Sequence, residues 1–259
     1  MKSLDKLKVR IFADGADLKG IATLAANPLI KGFTTNPTLM RKAGVTNYEE
    51  FAKDVMQRLK YLRPDTNISL EVFADDHAGM VTQAQWIHKW ARYVGYMAYV
   101  KIPITNTLGY SSFETIKTLT GIGIPCNITA VCSPCQVHDI LPAIDANTPT
   151  IISVFAGRIA DSGINPVGIM RDCLTLLKES NPLHYGPYYA THKIKLLWAS
   201  PREAYNVIQA DEIGCDIITL TDDLIKKLKK VGVSLTDVSL DTVNMFYNDA
   251  KASGYTIEG

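Results

Sequence analysis

The chain places a lysine where a lysine is costly. Lys101 interrupts the apolar stretch 98–105, whose β-branched and aromatic residues, stopped by Pro103, have the pattern of a buried strand. Strand alternation puts its side chain on the face of Tyr99, opposite Val100 and Ile102. Desolvation disfavours an ammonium, and an amine that has shed its proton is the nucleophile that Schiff-base chemistry on a carbonyl requires. A lysine at a strand end can equally snorkel to water, so the residues around it decide its meaning.

Other apolar runs also end in polar groups. Asp14 closes Ile11-Phe12-Ala13, and Thr34-Thr35-Asn36-Pro37-Thr38 leaves the second run. Glu71 lies between Leu70 and Val72, and alternation places Asn127 and Thr129 on one face. Ser153 precedes Phe155 and Arg158, and the seventh run leads into Ser200-Pro201-Arg202. Each residue has a plainer reading: Asp14 as a turn cap, Asn36 as an Asx turn, Glu71 as an ion-pair partner of Lys101. Together they converge only if one architecture gathers the ends of these runs.

The runs lie at 9–13, 32–35, 68–73, 98–102, 126–131, 150–155, 194–199 and 216–220. Helical periodicity fills the intervals at 48–62, 78–93, 111–120, 134–144, 166–179, 201–213 and 222–230, with a short, weakly patterned segment at 18–27. Ser133-Pro134, Asn165-Pro166 and Ser200-Pro201 read as helix starts with proline in the first turn. Eight strand–helix alternations predict an α/β fold, a single (β/α)8 TIM barrel over residues 1–259, with a doubly wound open sheet as the alternative. In such a barrel the strand ends meet at one mouth. An extra C-terminal helix over 239–253 carries Leu240, Val243, Tyr247 and Ala250 on one face. It is expected to cover its own barrel, the alternative being a neighbouring subunit in a homo-oligomer. The aromatic loop 181–193, with Tyr185, Tyr188 and Tyr189, is expected on the opposite, N-terminal face.

Composition narrows the partners. A net charge of +1 argues against nucleic acid or a membrane surface, and no run approaches the 18 apolar residues of a membrane span. With no signal-like apolar stretch near Met1, the expected location is cytoplasmic. The five cysteines are scattered and odd in number, which fits a reducing compartment. Cys132 and Cys135 with His138 make a single weak pair, and no metal site is assigned to them. Asn67 and Asn127 head glycosylation sequons but sit in strand-like runs, so neither is read as a glycan site.

These motifs resemble a known family. Phe12-Ala13-Asp14, Thr34-Thr35-Asn36-Pro37-Thr38, Val100-Lys101-Ile102-Pro103, Asn127-Ile128-Thr129, Ser153 to Ile159 and Ala199-Ser200-Pro201-Arg202 are similar, in order and spacing, to the signatures of transaldolases. The same superfamily includes the shorter fructose-6-phosphate aldolase-like proteins. The resemblance implies a (β/α)8 barrel that transfers a dihydroxyacetone unit between sugar phosphates without metal or cofactor. It makes Lys101 the Schiff-base lysine, Asp14 the acid/base group, and Glu71 with Thr129 the pair that handles a catalytic water. Thr35, Asn36, Asn127, Ser153 and Phe155 become substrate-binding residues, and Arg158, Ser200 and Arg202 the phosphate site. Glu71 and Phe155 are of the transaldolase kind, where the aldolase branch tends to carry glutamine and tyrosine. Val154 and Pro201 depart from the family pattern.

Overall fold

The computed structural model describes residues 4–179 and 194–257. Its eight strands are β1 (Arg10–Asp14), β2 (Ile30–Thr34), β3 (Ile68–Glu71), β4 (Ala98–Pro103), β5 (Cys126–Val131), β6 (Thr150–Val154), β7 (Ile194–Trp198) and β8 (Ile217–Thr221). They close in chain order into an all-parallel barrel, the (β/α)8 architecture expected.

Eleven helices lie among the described residues: α1 (Leu18–Ala25), α2 (Pro37–Lys42), α3 (Tyr48–Leu62), α4 (His77–Val94), α5 (Phe113–Gly121), α6 (Pro134–Ile140), α7 (Ala156–Asp161), α8 (Pro166–Glu179), α9 (Tyr205–Ile213), α10 (Asp222–Lys227) and α11 (Leu235–Ala252). Local chemistry sets their ends. Asn47 accepts from the Glu50 amide to start α3, and Phe51, Val55 and Leu59 then recur on its buried face. Burying each such side chain contributes about 1.5–3 kcal/mol. Ser133 and Gln136 form a capping box on α6, with Pro134 in its first turn. The Ser200-Pro201 start is corrected: α9 begins only at Tyr205, because the intervening residues form a loop that presents Arg202. The short helices α2 and α7, six residues each, were not foreseen.

Side chains facing the barrel axis form two layers. Phe12, Ile151, Leu197 and Ile217, joined by Tyr99, make an apolar floor. Gly32 is required there, since a Cβ would lie 2.5 Å from the Phe12 ring. Above the floor the inward positions turn polar.

The C-terminal helix exists, but the expected packing on its own barrel is overturned. No residue of α11 is buried, and Leu240, Val243, Phe246 and Tyr247 are each more than half exposed. The Tyr-rich segment 185–189 lies outside the described residues.

Candidate active site

Register assembles the mouth. Glu71 pairs with Lys101 across β3 and β4, and Lys101 with Asn127 across β4 and β5. On the other side Asp14 pairs with Thr34 of β2 and Thr221 of β8. Parallel pairing places side chains of matched positions on one face, so these groups ring a single opening. The opening is a cavity of about 520 Å³ lined by Asp14, Asn36, Glu71, Lys101, Asn127, Thr129, Ser153, Phe155, Arg158, Ser200 and Arg202, among others. These are the residues expected from the sequence, with one exception. Thr35 is fully buried and is not part of the wall. Its hydroxyl bonds the Ser69 carbonyl and Glu71 Oε2, so it supports the carboxylate from behind.

Lys101 is 8% exposed and committed to two partners. Its Nζ donates to the Thr35 carbonyl at 2.6 Å and to Glu71 Oε1 at 2.9 Å. Glu71 accepts at both oxygens, from Lys101 and from Thr35 at 2.8 Å. The Tyr48 hydroxyl of α3 donates to the Glu71 backbone carbonyl at 2.9 Å, fixing the end of β3. Burial, with the charge of Glu71, lifts the Tyr48 pKa well above the ordinary phenol value, so this donor keeps its proton.

Asp14 sits across the opening in a different environment. Thr34 Oγ1 donates to its Oδ1 at 2.8 Å, and Asn36 Nδ2 to its Oδ2 at 3.1 Å. Burial pushes the Asp14 pKa up, opposed by the charge of Lys101 and the Thr34 bond and reinforced by the charge of Glu71. Asn36 has two tasks: its Oδ1 accepts from the Leu39 amide and caps α2, while its Nδ2 orients Asp14. The plain reading of Asn36 as a local turn and capping residue holds, and the same side chain also lines the cavity beside Asp14. Asn127 is fully buried, between Ser69 Oγ at 3.0 Å and Ser153 Oγ at 2.6 Å. A glycan cannot occupy that position.

The two arginines meet at the rim through a close backbone approach. A Cβ on Gly157 would lie 1.5 Å from the Ser200 carbonyl oxygen, so only glycine lets α7 lie against the loop after β7. Ser200 itself holds φ 58, a left-handed conformation unusual for serine. Arg158 lies over the Phe155 ring at 5.8 Å. Arg202 pairs with Asp161 at the end of α7 through Nε and a terminal nitrogen. This pair holds the Asp161 carboxyl below the usual carboxylate range. Arg202 is about half exposed and lines the cavity.

Sequence reasoning missed Thr34, Thr219 and Thr221 as mouth-facing groups, Ser69 as the buried partner of Asn127, and also Asp161. Threonine and serine in strands are too common to stand out, and Asp161 acts only through the fold. Cys132 and Cys135 are exposed free thiols, and His138 lies 3.2 Å from Asp139. No cluster of metal-ligating side chains occurs among the described residues.

Comparison with known proteins identifies the family. A probable transaldolase of Novosphingobium aromaticivorans is 35% identical over 222 residues, covering 86% of this chain and 89% of that protein. A probable transaldolase of Nitrosopumilus maritimus is 30% identical over 251 residues, covering 96% and 100%. Among solved structures, a dihydrodipicolinate synthase from Aquifex aeolicus matches with a TM-score of 0.57 at 8% identity, over 85% of this chain and 72% of that one, a likeness of fold alone. The family model for transaldolase/fructose-6-phosphate aldolase matches residues 11–257, and the chain belongs to that family.

Proposed function

We propose that the protein is a transaldolase, transferring a dihydroxyacetone unit from a ketose phosphate such as fructose 6-phosphate or sedoheptulose 7-phosphate to an aldose phosphate. The observation that carries this reading is the pairing of Lys101 with Glu71 inside a cavity whose opposite wall holds Asp14 and whose rim holds two arginines.

The residues suit each step. Lys101 must lose a proton before attacking the ketone carbon, and Glu71 at 2.9 Å is placed to take it. Attack gives a carbinolamine; a proton returned by Glu71, through a water near Thr129, lets hydroxide leave as water and forms the iminium. Asp14 then accepts the proton of the hydroxyl two carbons beyond. The carbon–carbon bond breaks, its electron pair flows into the iminium, and an aldose phosphate departs. The enamine on Lys101 attacks a second aldose phosphate, Asp14 returns its proton to the new alkoxide, and hydrolysis frees the product. An acid whose pKa is raised by burial fits a group that must hold a proton between these steps. Arg158 and Arg202 provide charge-assisted donors for the substrate phosphate.

Phe155 favours transfer over simple cleavage. It lines the cavity with a ring that offers no proton and orders no water, so the enamine persists until an acceptor arrives. The fructose-6-phosphate aldolase reaction, in which the enamine is protonated and released, is the alternative within the same family. A protein that binds sugar phosphate without catalysis would need the arginines but not the lysine and its carboxylates. We further read the protein as cytoplasmic and homo-oligomeric, the latter supported by the exposed apolar residues of α11. No described helix is long and apolar enough to cross a membrane.

Incubation with fructose 6-phosphate followed by borohydride reduction tests the proposal. A mass gain matching a reduced dihydroxyacetone adduct on Lys101 is expected, and release of glyceraldehyde 3-phosphate should become catalytic only with an aldose phosphate acceptor. Equal turnover without acceptor would assign the aldolase reaction instead. A panel of ketose phosphates that leaves Lys101 unmodified would overturn both.

A further inference from the structure

The eighth strand brings two hydroxyls to the cavity, and the reaction above uses neither. Thr219 is the informative one. Its Oγ1 lies 2.6 Å from Thr34 Oγ1, which in turn lies 2.8 Å from Asp14 Oδ1. Register explains how they meet. β1 runs between β2 and β8, with Asp14 opposite Thr34 and Thr219 opposite Phe12, so side chains from the two flanking strands touch across β1 beneath Asp14.

Both threonines are buried, at 3% and 7% exposure. Valine has the same shape and would serve a purely apolar wall without hydroxyls to satisfy. The proton arrangement is constrained. Thr34 has one hydroxyl proton, and an ionised Asp14 takes it. Thr219 can therefore only donate to Thr34, which completes the chain Thr219 to Thr34 to Asp14.

We propose that Thr219 is a positioning residue that keeps the Thr34 hydroxyl matched to both protonation states of Asp14. With the carboxylate ionised, Thr219 donates to Thr34 and Thr34 to Oδ1. Once Asp14 holds the substrate's proton on Oδ1, both bonds reverse: Asp14 donates to Thr34, Thr34 donates to Thr219, and the Thr219 proton turns toward the cavity that it lines. No proton leaves its oxygen in the threonines; only the hydroxyl rotors turn. The contrast is Asn36, whose Nδ2 donates to Oδ2, an acceptor in both protonation states, so that this bond keeps one direction while the one at Oδ1 must reverse. The charged groups facing Asp14 are Lys101 of β4 and Glu71 of β3, with Arg158 and Arg202 at the rim of the same cavity. Lys101 and Glu71 act on Asp14 through their charge.

The proposal rests on Asp14 as the acid/base group, but its test requires no substrate. The carboxyl of Asp14 is followed by carbon-13 NMR across pH in labelled free protein, its signal assigned by loss in Asp14→Asn. Bonds to a charged acceptor are stronger than those to a neutral one, so loss of the chain raises the Asp14 pKa, by about one unit in Thr34→Val and about half a unit in Thr219→Val. Thr219→Ser, which keeps the hydroxyl, should titrate as the native protein does. Thr219→Ala repeats the deletion should the valine variant not fold. With a turned-over ketose phosphate, Thr219→Val should lower kcat several-fold at constant KM, and serine should restore it. An Asp14 titration in Thr219→Val and Thr219→Ala identical to the native one overturns the proposal, whatever the activity. An active Asp14→Asn enzyme would instead overturn the role given to Asp14.

Discussion

Two ion pairs at the same end of the barrel, one inside the mouth and one on its rim, behave as opposites. Lys101 and Glu71 meet at 2.9 Å with side chains 10% and 6% exposed, whereas Arg202 and Asp161 are 48% and 54% exposed. Withdrawing both members of a pair from water costs several kcal/mol per ion, and the attraction repays it only with good geometry and further hydrogen bonds. Lys101 and Glu71 have those bonds: the Thr35 carbonyl on the ammonium and the Thr35 hydroxyl on the second carboxylate oxygen. Glu71 and Lys101 are matched residues of adjacent strands, and Thr35 directly follows β2. The rim pair has water as an alternative partner and salt as a screen. Its arginine can therefore turn from Asp161 to a phosphate at small cost. On the proposed reading, the buried pair serves proton transfer and the exposed pair binding and release.

Lys101→Ala gives the largest effect and removes the buried pair outright. Borohydride trapping should find no adduct, and turnover should fall further than the about 10²- to 10⁴-fold that a single acid–base group supplies.

Asp14→Asn keeps both pairs and removes the proton acceptor. Carbon–carbon cleavage should slow by about 10²- to 10⁴-fold while imine formation persists, seen as a trapped hexose adduct in place of the three-carbon one. Stability should move the other way. Because the folded-state pKa of Asp14 is raised from 3.8, ionisation opposes folding as pH rises through that value and beyond. The asparagine variant should therefore melt at higher temperature than the native protein at neutral pH, and the advantage should vanish in acid below the unfolded-state pKa.

Glu71→Gln tests the cost of the buried pair. It leaves the Lys101 charge without its counter-ion, so denaturant titration near neutral pH should show a loss of about 3–5 kcal/mol, together with slowed imine formation. The matched change at the rim, Asp161→Asn, should leave the denaturation midpoint where it is. Equal losses in the two variants would break the comparison.

Arg202→Gln completes it. KM for the phosphorylated donor should rise by about 10- to 100-fold, from the loss of charge-assisted bonds, with kcat little changed. That loss should shrink as salt concentration rises, because the exposed site is screened.

The residues that made the site legible share one property: each is a polar group whose presence in an apolar run is expensive. Lys101, Glu71 and Asp14 stand out for that reason. Thr219 does not, since threonine is an ordinary strand residue and its oxygen gains meaning only against Thr34 of a strand 185 positions away. Thr35 shows the converse: adjacent in sequence to Thr34 and Asn36, it faces away from the cavity because strand alternation continues past the end of β2. The helices α2 and α7 escaped because six residues are too few to display a helical period, and each is defined by its contact with the mouth.

What the sequence determined by itself is the alternation of strands and helices, the lysine with its carboxylates, and the family. These follow from local pattern and from the cost of burying charge, both of which can be read along the chain. Tertiary structure alone decided which hydroxyl meets which carboxylate, that Gly157 brings two arginines to one rim, and that α11 leaves its own barrel uncovered. Those outcomes depend on strand register, on close backbone approach and on the direction in which a helix leaves the barrel. Each is fixed only when residues far apart in the chain come into contact.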